Sequence, residues 1–516
     1  MIQERLSINL LVLLVILALC TAIYQLLPYE YKHLGWPNIV VLNWHEYGYS
    51  KLEGKLVYNV GGVGAEENPR IYGGHQALSI LIPYLIHRIV PNFDLSGLIL
   101  YLLTVLLISI SIYVLFRQHF IRFLILIAIV FSPGLCRTAV SYDPLTLPAL
   151  IGIPLIAILF LTILGHRVNP FHWIFIMFVT ILYIQLNWTT AFTLALIFPS
   201  LYIANKQNNR LPIIIFAIVT FVFFLPVLNE SLTSKDFWTS ESLLSRLLDY
   251  TIGSGGYGND TNWARAIIRL TFVNTIALLP LLVLFLFLFY KCKPWTKKAW
   301  SVTLLPIIIA WGCVLSMRNY FSMHPWMASP IFISAIICSL FLLSRFNDQL
   351  SNINIIHPSM SARTSLFFLL FSVWYCFVIV MFFQENSRYI DSVASIVRKN
   401  TERSDIILIS RNEQLAIIRD LDILSLLFDR QTFNLENKDV PKNRRTYLLS
   451  SQSQIPNAVL VCNSNNGMTF PSRIISHLLG VYRHYISKRK LGDRIEDFDR
   501  INYHLFFIPD RQSSLN

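Results

Sequence analysis

Residues 44–54 read Trp-His-Glu-Tyr-Gly-Tyr-Ser-Lys-Leu-Glu-Gly, and His45-Glu46 sets two proton acceptors side by side. Either side chain could take the proton of an attacking hydroxyl as a general base. Asp143, inside Ser141-Tyr-Asp-Pro-Leu-Thr-Leu-Pro148, is a second carboxylate that could orient such a hydroxyl or cap the helix after it. Negative charge developing on a leaving group must meet cations, and Arg70, Arg137, Arg265, Arg318 and His324 are candidates, with Tyr72, His75 and Tyr320 close by in sequence. His45, Glu46, Glu66, Glu67, His75 and Asp143 also offer the oxygen and nitrogen atoms that divalent cations accept. None of their spacings resembles His-Glu-x-x-His. No cofactor is therefore fixed by the sequence, and a divalent cation is one option. The aromatic neighbours Trp44, Tyr47 and Tyr49 suit the face of a sugar ring or a membrane interface.

The elements carrying these residues are set by composition. Of 516 residues 54% are apolar and only 14% charged, with a mean hydropathy of +0.54. Soluble domains carry about 25% charged residues, so a soluble enzyme is excluded. The net charge of +13 does not indicate a nucleic-acid partner in such a chain. A bilayer core needs about 20 apolar residues per helix. Candidate spans fall near 7–28, 96–116, 121–138, 144–164, 168–187, 189–204, 211–228, 266–290, 299–317, 326–344 and 364–384, about eleven in all. With the amino terminus in the cytoplasm, Arg117, Arg122, Arg167, Lys206, Arg210, Lys291, Lys293, Lys297, Lys298, Arg345 and Arg363 all face inward, as the positive-inside rule requires. The carboxy-terminal region then lies outside.

Two outer loops are long, about 29–95 and 229–265, and long loops commonly carry function. In the first, Trp44–Gly54 reads as a short helix ended by glycine, and 76–90 as an interfacial helix. In the second, Gly253-Ser-Gly-Gly-Tyr-Gly258 follows no strand and reads as a hinge rather than a phosphate loop. The composition changes after residue 384, with 19 Lys+Arg and 15 Asp+Glu against 23 and 14 before it. Segments 406–409, 447–449, 458–461 and 503–508 read as strands, and 412–420 and 472–486 as helices. The domains are thus 1–384, a membrane domain, and 385–516, a small α/β domain. His477, His484 and His504 lack metal-like spacing and read as surface histidines.

In this order of parts the chain resembles the GT-C class of integral-membrane glycosyltransferases, the polyprenyl-phosphate-sugar-dependent superfamily that includes dolichyl-phosphate-mannose and aminoarabinose transferases. Four segments and the tail carry the resemblance. Glu46, the segment to Glu53 and Gly54-Lys-Leu-Val-Tyr58 match the first loop, although the family commonly has Asp where Glu46 stands. Ser141–Pro148 matches the acidic turn, Leu186–Thr190 the tight hairpin, and Arg318-Asn-Tyr-Phe-Ser-Met-His-Pro325 the late lead-in to a span. The resemblance implies a mainly α, polytopic fold with an extracytoplasmic α/β tail. It implies sugar transfer from a polyprenyl-phosphate carrier to a glycan, lipid or protein acceptor, with no nucleic acid involved. Inverting displacement would use Glu46 as base, His45 as its competitor and Asp143 as the second carboxylate. Arg70, Tyr72, His75, Arg137, Arg265, Arg318, Tyr320 and His324 would bind substrate, Arg318 by its match to the late motif. The implied location is a bacterial inner membrane, with the site and tail on the periplasmic side. The alternative is a transporter or lipid flippase, which should place ionisable residues at mid-membrane; the candidate spans have no Asp or Glu at their centres. A non-catalytic scaffold binding a wall component is a further rival.

Overall fold

The computed structural model describes residues 2–26, 36–57, 77–116, 119–135, 152, 170–186, 190–204, 211–233, 263–291, 297–318, 321, 328–346, 358–402, 405–409, 431–434, 445–450, 459–463 and 504–508. The chain divides into two compact units, Met1–Gln25 with Gly73–Ile379, and Leu26–Tyr72 with Val380–Asn516. It is a mainly helical, polytopic membrane protein with a small sheet domain.

Apolar runs in lipid must satisfy their backbone groups internally, so they become helices. The helices are α1 (Ile2–Leu26), α2 (Trp36–Asn43), α3 (Leu78–Ile89), α4 (Phe93–Leu115), α5 (His119–Val130), α6 (Pro170–Ile184), α7 (Thr190–Ala204), α8 (Leu211–Thr233), α9 (Trp263–Lys291), α10 (Lys297–Ser316), α11 (Ser329–Phe346) and α12 (Pro358–Asn400). Each expected span except 144–164, of which only residue 152 is among the described residues, coincides with one of them. Among the described residues, Phe93–Leu115, Leu270–Tyr290 and Arg363–Val380 are long and apolar enough to cross a membrane. Two boundaries differ from expectation. The long loop 229–265 is shorter at both ends, because α8 continues to Thr233 and α9 begins at Trp263. The last span does not stop at 384, because Gln384-Glu-Asn-Ser-Arg388 carries no glycine or proline to end a helix.

In the first unit α11 is the core helix. It packs on α7, α9 and α10, and residues 329–340 are all buried, as expected of a helix apolar on every side. Asn274 on α9 donates to the Leu270 carbonyl and accepts the Ser329 hydroxyl at 3.0 Å, a buried polar link between α9 and α11. Large apolar side chains left exposed, among them Phe221 on α8 and Phe367 and Trp374 on α12, are the surface that lipid covers. The expected interfacial segment is α3, which packs on α4, and Asn92 caps α4 by accepting the Leu95 N–H at 3.0 Å.

Gly134 packs closely against α9. A Cβ there would lie 3.1 Å from the Ala277 Cβ and 3.2 Å from its carbonyl oxygen. Backbone cannot step aside as a side-chain tip can, so Gly134→Val is expected to destabilise the bundle by about 1–3 kcal/mol. The measurement is the thermal unfolding midpoint in detergent.

The sheet lies in the second unit. Its strands are β1 (Ile406–Ile409), β2 (Gln431–Asn434), β3 (Thr446–Ser450), β4 (Val459–Asn463) and β5 (His504–Phe507), in the order β2-β1-β3-β5-β4. β1 pairs in parallel with β2 and β3, and β5 runs antiparallel to both β3 and β4. Strands β1, β3, β4 and β5 fall on the expected segments, whereas β2 was not expected. The helices expected at 412–420 and 472–486 lie outside the described residues. Ile406, Leu408, Leu448 and Phe506 form the sheet's apolar cluster. At its amino edge, buried Asp405 accepts the Glu402 N–H at 2.6 Å and lies 3.3 Å from Arg445, which also pairs with Glu402. These two carboxylates hold the Arg445 guanidinium above its ordinary pKa.

Candidate functional site

The segment around Glu46 is built by two long-reaching hydrogen bonds. Helix α2 opens at its end into a single π turn, Trp44–Gly48, a feature frequent at functional positions. Asn43 donates its amide N–H to the Val57 carbonyl at 2.8 Å, and Trp44 donates its indole N–H to the Lys55 carbonyl at 2.8 Å. Both bonds fasten the turn to the returning residues 55–57. Trp44 is fully buried, and Leu52, Leu56 and Val57 are buried with it. The reading of Trp44 as a sugar-facing or interfacial ring is therefore corrected: the ring's one polar atom finds its partner inside the protein, so the whole indole is core. Tyr49 meets it edge-on at 4.8 Å.

The expected helix over 44–54 is shorter than expected: it is a π-helical turn over Trp44–Gly48 ended by glycine, and turns carry the chain from there to Gly54. Gly48 and Gly54 have φ of 93° and 67°, a left-handed conformation that costs most side chains energy. A Cβ on Gly54 would come within 2.8 Å of the Tyr49 hydroxyl. With Asn43 and Trp44 turned inward, the next two residues, His45 and Glu46, are exposed. Glu53, the other carboxylate of segment 44–54, is engaged with Lys55 at 2.5 Å, and that hydrogen bond holds it below the usual carboxylate range. The arrangement thus presents an imidazole and a carboxylate in sequence on a rigid mount, which is what a loop-borne base requires.

The other candidates fall into two groups. Arg318 and Arg265 belong to the first unit. Arg318 is buried just past the end of α10, where the Phe321 N–H donates to the Met317 carbonyl at 3.1 Å and the Phe321 ring lies 5.9 Å from Phe192 on α7. Arg265 is in the first turn of α9. Arg70, Tyr72, His75, Arg137, Asp143, Tyr320 and His324 lie outside the described residues. Among the described residues no three of His, Cys, Asp and Glu gather as metal ligands would; Glu66, Glu67, His75 and Asp143 are not among those residues. Sequence reasoning missed Asn43 and Val57, the supports of the turn. The one local signal was a buried-type residue, Trp44, placed directly before two polar ones.

At the level of fold, the helical bundle and small sheet unit match solved structures of GT-C-like fold. The particular likeness is to ArnT from Cupriavidus metallidurans. Its apo crystal structure matches with a TM-score of 0.52 at 10% identity, covering 86% of this chain and 93% of that one. The structure of the same protein bound to undecaprenyl phosphate matches with a TM-score of 0.49 at 11% identity over the same shares. No family model and no curated protein matches the chain.

Proposed function

We propose that this protein transfers a sugar from a polyprenyl-phosphate carrier to an acceptor outside the cytoplasm, in a bacterial inner membrane. The observation that carries the reading is the pinned turn that exposes His45-Glu46 in a chain of GT-C-like fold. Glu46 takes the proton of the acceptor hydroxyl as that oxygen attacks the anomeric carbon. The bond from that carbon to the carrier phosphate breaks, and the phosphate leaves with its electron pair. Arg318, with Arg70, Arg137, Arg265 and His324, supplies charge to the leaving phosphate, while Asp143, Tyr72, His75 and Tyr320 position the substrates. The direct test is mass spectrometry of surface glycans and lipids from cells with and without the protein. A sugar that disappears with the protein supports the proposal, and identical profiles reject it.

Two further outcomes follow from this reading. Arg318→Ala should weaken binding of the polyprenyl-phosphate donor about tenfold or more, as expected on losing a charge-assisted contact of roughly 1.5–3 kcal/mol. Arg345→Ala, assigned to the cytoplasmic end, should leave it unchanged. Donor titration in nanodiscs checks this, and equal effects would reduce Arg318 to a helix anchor. In intact spheroplasts a membrane-impermeant thiol reagent should label Ser451→Cys and spare Gln207→Cys. The reverse pattern overturns the orientation.

A further inference from the structure

We infer that Tyr49 is a stacking platform for the acceptor, and that the acceptor is a saccharide, held by the C–H face of one sugar ring. That the bound sugar is the acceptor rests on the proposed transfer; that the ring binds a sugar does not. Three aromatic residues flank His45-Glu46, and the structure sets one of them apart. Trp44 is fully buried, Tyr47 is half-buried, and Tyr49 keeps 36% of its surface exposed. Tyr49 is also held in place. Its ring stands nearly perpendicular to the Trp44 indole, at 84° and 4.8 Å between centroids. Its hydroxyl end lies over Gly54, where a Cβ would come within 2.8 Å of the hydroxyl oxygen and 3.0 Å of Cζ. Its carbonyl accepts the Gly54 N–H at 3.0 Å, while the Leu52 and Glu53 N–H groups donate to the Gly48 and Ser50 carbonyls at 3.2 Å. The backbone that leaves room for this ring is strained. Glu53 and Gly54 are consecutive residues with φ of 52° and 67°. Left-handed backbone is unfavourable for a residue with a Cβ, and strain of this kind clusters at sites that grip ligands.

The chemistry of the exposed residues indicates the ligand. An aromatic face carries partial negative charge, which draws the C–H bonds on the face of a sugar ring while the sugar hydroxyls stay free at its rim. Tyrosine makes such a contact at little entropic cost, because only two torsions must be fixed. Here Trp44 and Gly54 restrict them before any ligand arrives. An acyl chain would need an apolar patch, and the exposed residues beside Tyr49 are His45, Glu46, Ser50 and Lys51. A phosphate would need gathered cations, and Lys55 of this segment is already engaged with Glu53. One aromatic face accompanied by groups that donate and accept hydrogen bonds is what a sugar ring requires. Tyr49 follows Glu46 by three residues, so their Cα atoms lie within roughly 11 Å of each other. A saccharide stacked on Tyr49 can therefore bring one of its hydroxyls to the Glu46 carboxylate.

The experiment uses the full chain in nanodiscs, with neutral oligosaccharide released from the surface glycans of producing cells as the probe and inorganic phosphate as the comparison. In the wild-type chain the oligosaccharide should slow nitration of Tyr49 by tetranitromethane, read by peptide mass spectrometry, and phosphate should not. Half-saturation should need about fivefold more oligosaccharide in Tyr49→Leu, which lacks the aromatic face, and about the wild-type amount in Tyr49→Phe and Ser50→Ala. Titration of the polyprenyl-phosphate donor should be the same in all three variants. Unslowed nitration, slowing reproduced by phosphate, Tyr49→Leu that binds like wild type, or Tyr49→Phe that weakens as much as Tyr49→Leu overturns the inference. Weakened donor binding in Tyr49→Leu overturns it too, because the ring would then serve the donor. If Tyr49→Leu is cleaved early between residues 44 and 57, nitration of the wild type and binding by Tyr49→Phe decide alone. Oligosaccharide binding that depends on Tyr49, in a protein whose loss leaves surface glycans and lipids identical, would keep this sugar site and reject the proposed transfer.

Discussion

Glu46→Gln is expected to lower sugar transfer at least about a hundredfold, within the usual general-base contribution of roughly 10²–10⁴. The amide keeps the shape of the carboxylate and removes its ability to accept a proton in the working state. The side chain is exposed on the π turn, and the bonds that hold the turn come from Asn43 and Trp44. Protein level and donor binding should therefore stay near those of wild type. The assay is single-turnover transfer from a labelled polyprenyl-phosphate sugar. A rate close to wild type would mean that Glu46 is only a solvated loop residue, and the base assignment would pass to Asp143.

Trp44→Ala should act through the mount instead. The side chain is fully buried, and truncating such a side chain costs about 3–5 kcal/mol. It also strips the Lys55 carbonyl of its donor. Limited proteolysis should show early cleavage between residues 44 and 57, with transfer lost in parallel. Trp44→Phe keeps most of the volume and loses the indole hydrogen bond, worth about 1 kcal/mol, so it should show a milder form of the same defect. Cleavage resistance in Trp44→Ala equal to that of wild type would show that the indole does not hold the turn.

The membrane bundle was legible because a long apolar run has one solution in lipid, and strands β1, β3, β4 and β5 because each is a short apolar run. β2, Gln431-Thr-Phe-Asn434, was not legible. It is a four-residue strand at the edge of the described sheet, paired there with β1, and half of its residues are amides. The site was legible in its residue types and not in its geometry. His45-Glu46 stands out as a pair in any reading, but the inward turn of Trp44 depends on a carbonyl eleven residues away. No local periodicity encodes that distance. Arg318 shows the same limit, since a cation directly following the expected span 299–317 reads as an outer-face group yet is buried.

The second unit is made of two pieces, Leu26–Tyr72 and Val380–Asn516, and this fixes a timetable. A chain grows from its amino end at about 5–20 residues per second, so residues 73–379 occupy the ribosome for roughly 15–60 s after the first piece is complete. Throughout that interval the segment bearing Glu46 exists without the other half of its unit, while the helices of the bundle are being made. Contacts so distant in sequence form late. The carboxylate's surroundings are thus among the last parts of the molecule to mature, and a nascent chain with every span in place is still an unfinished protein.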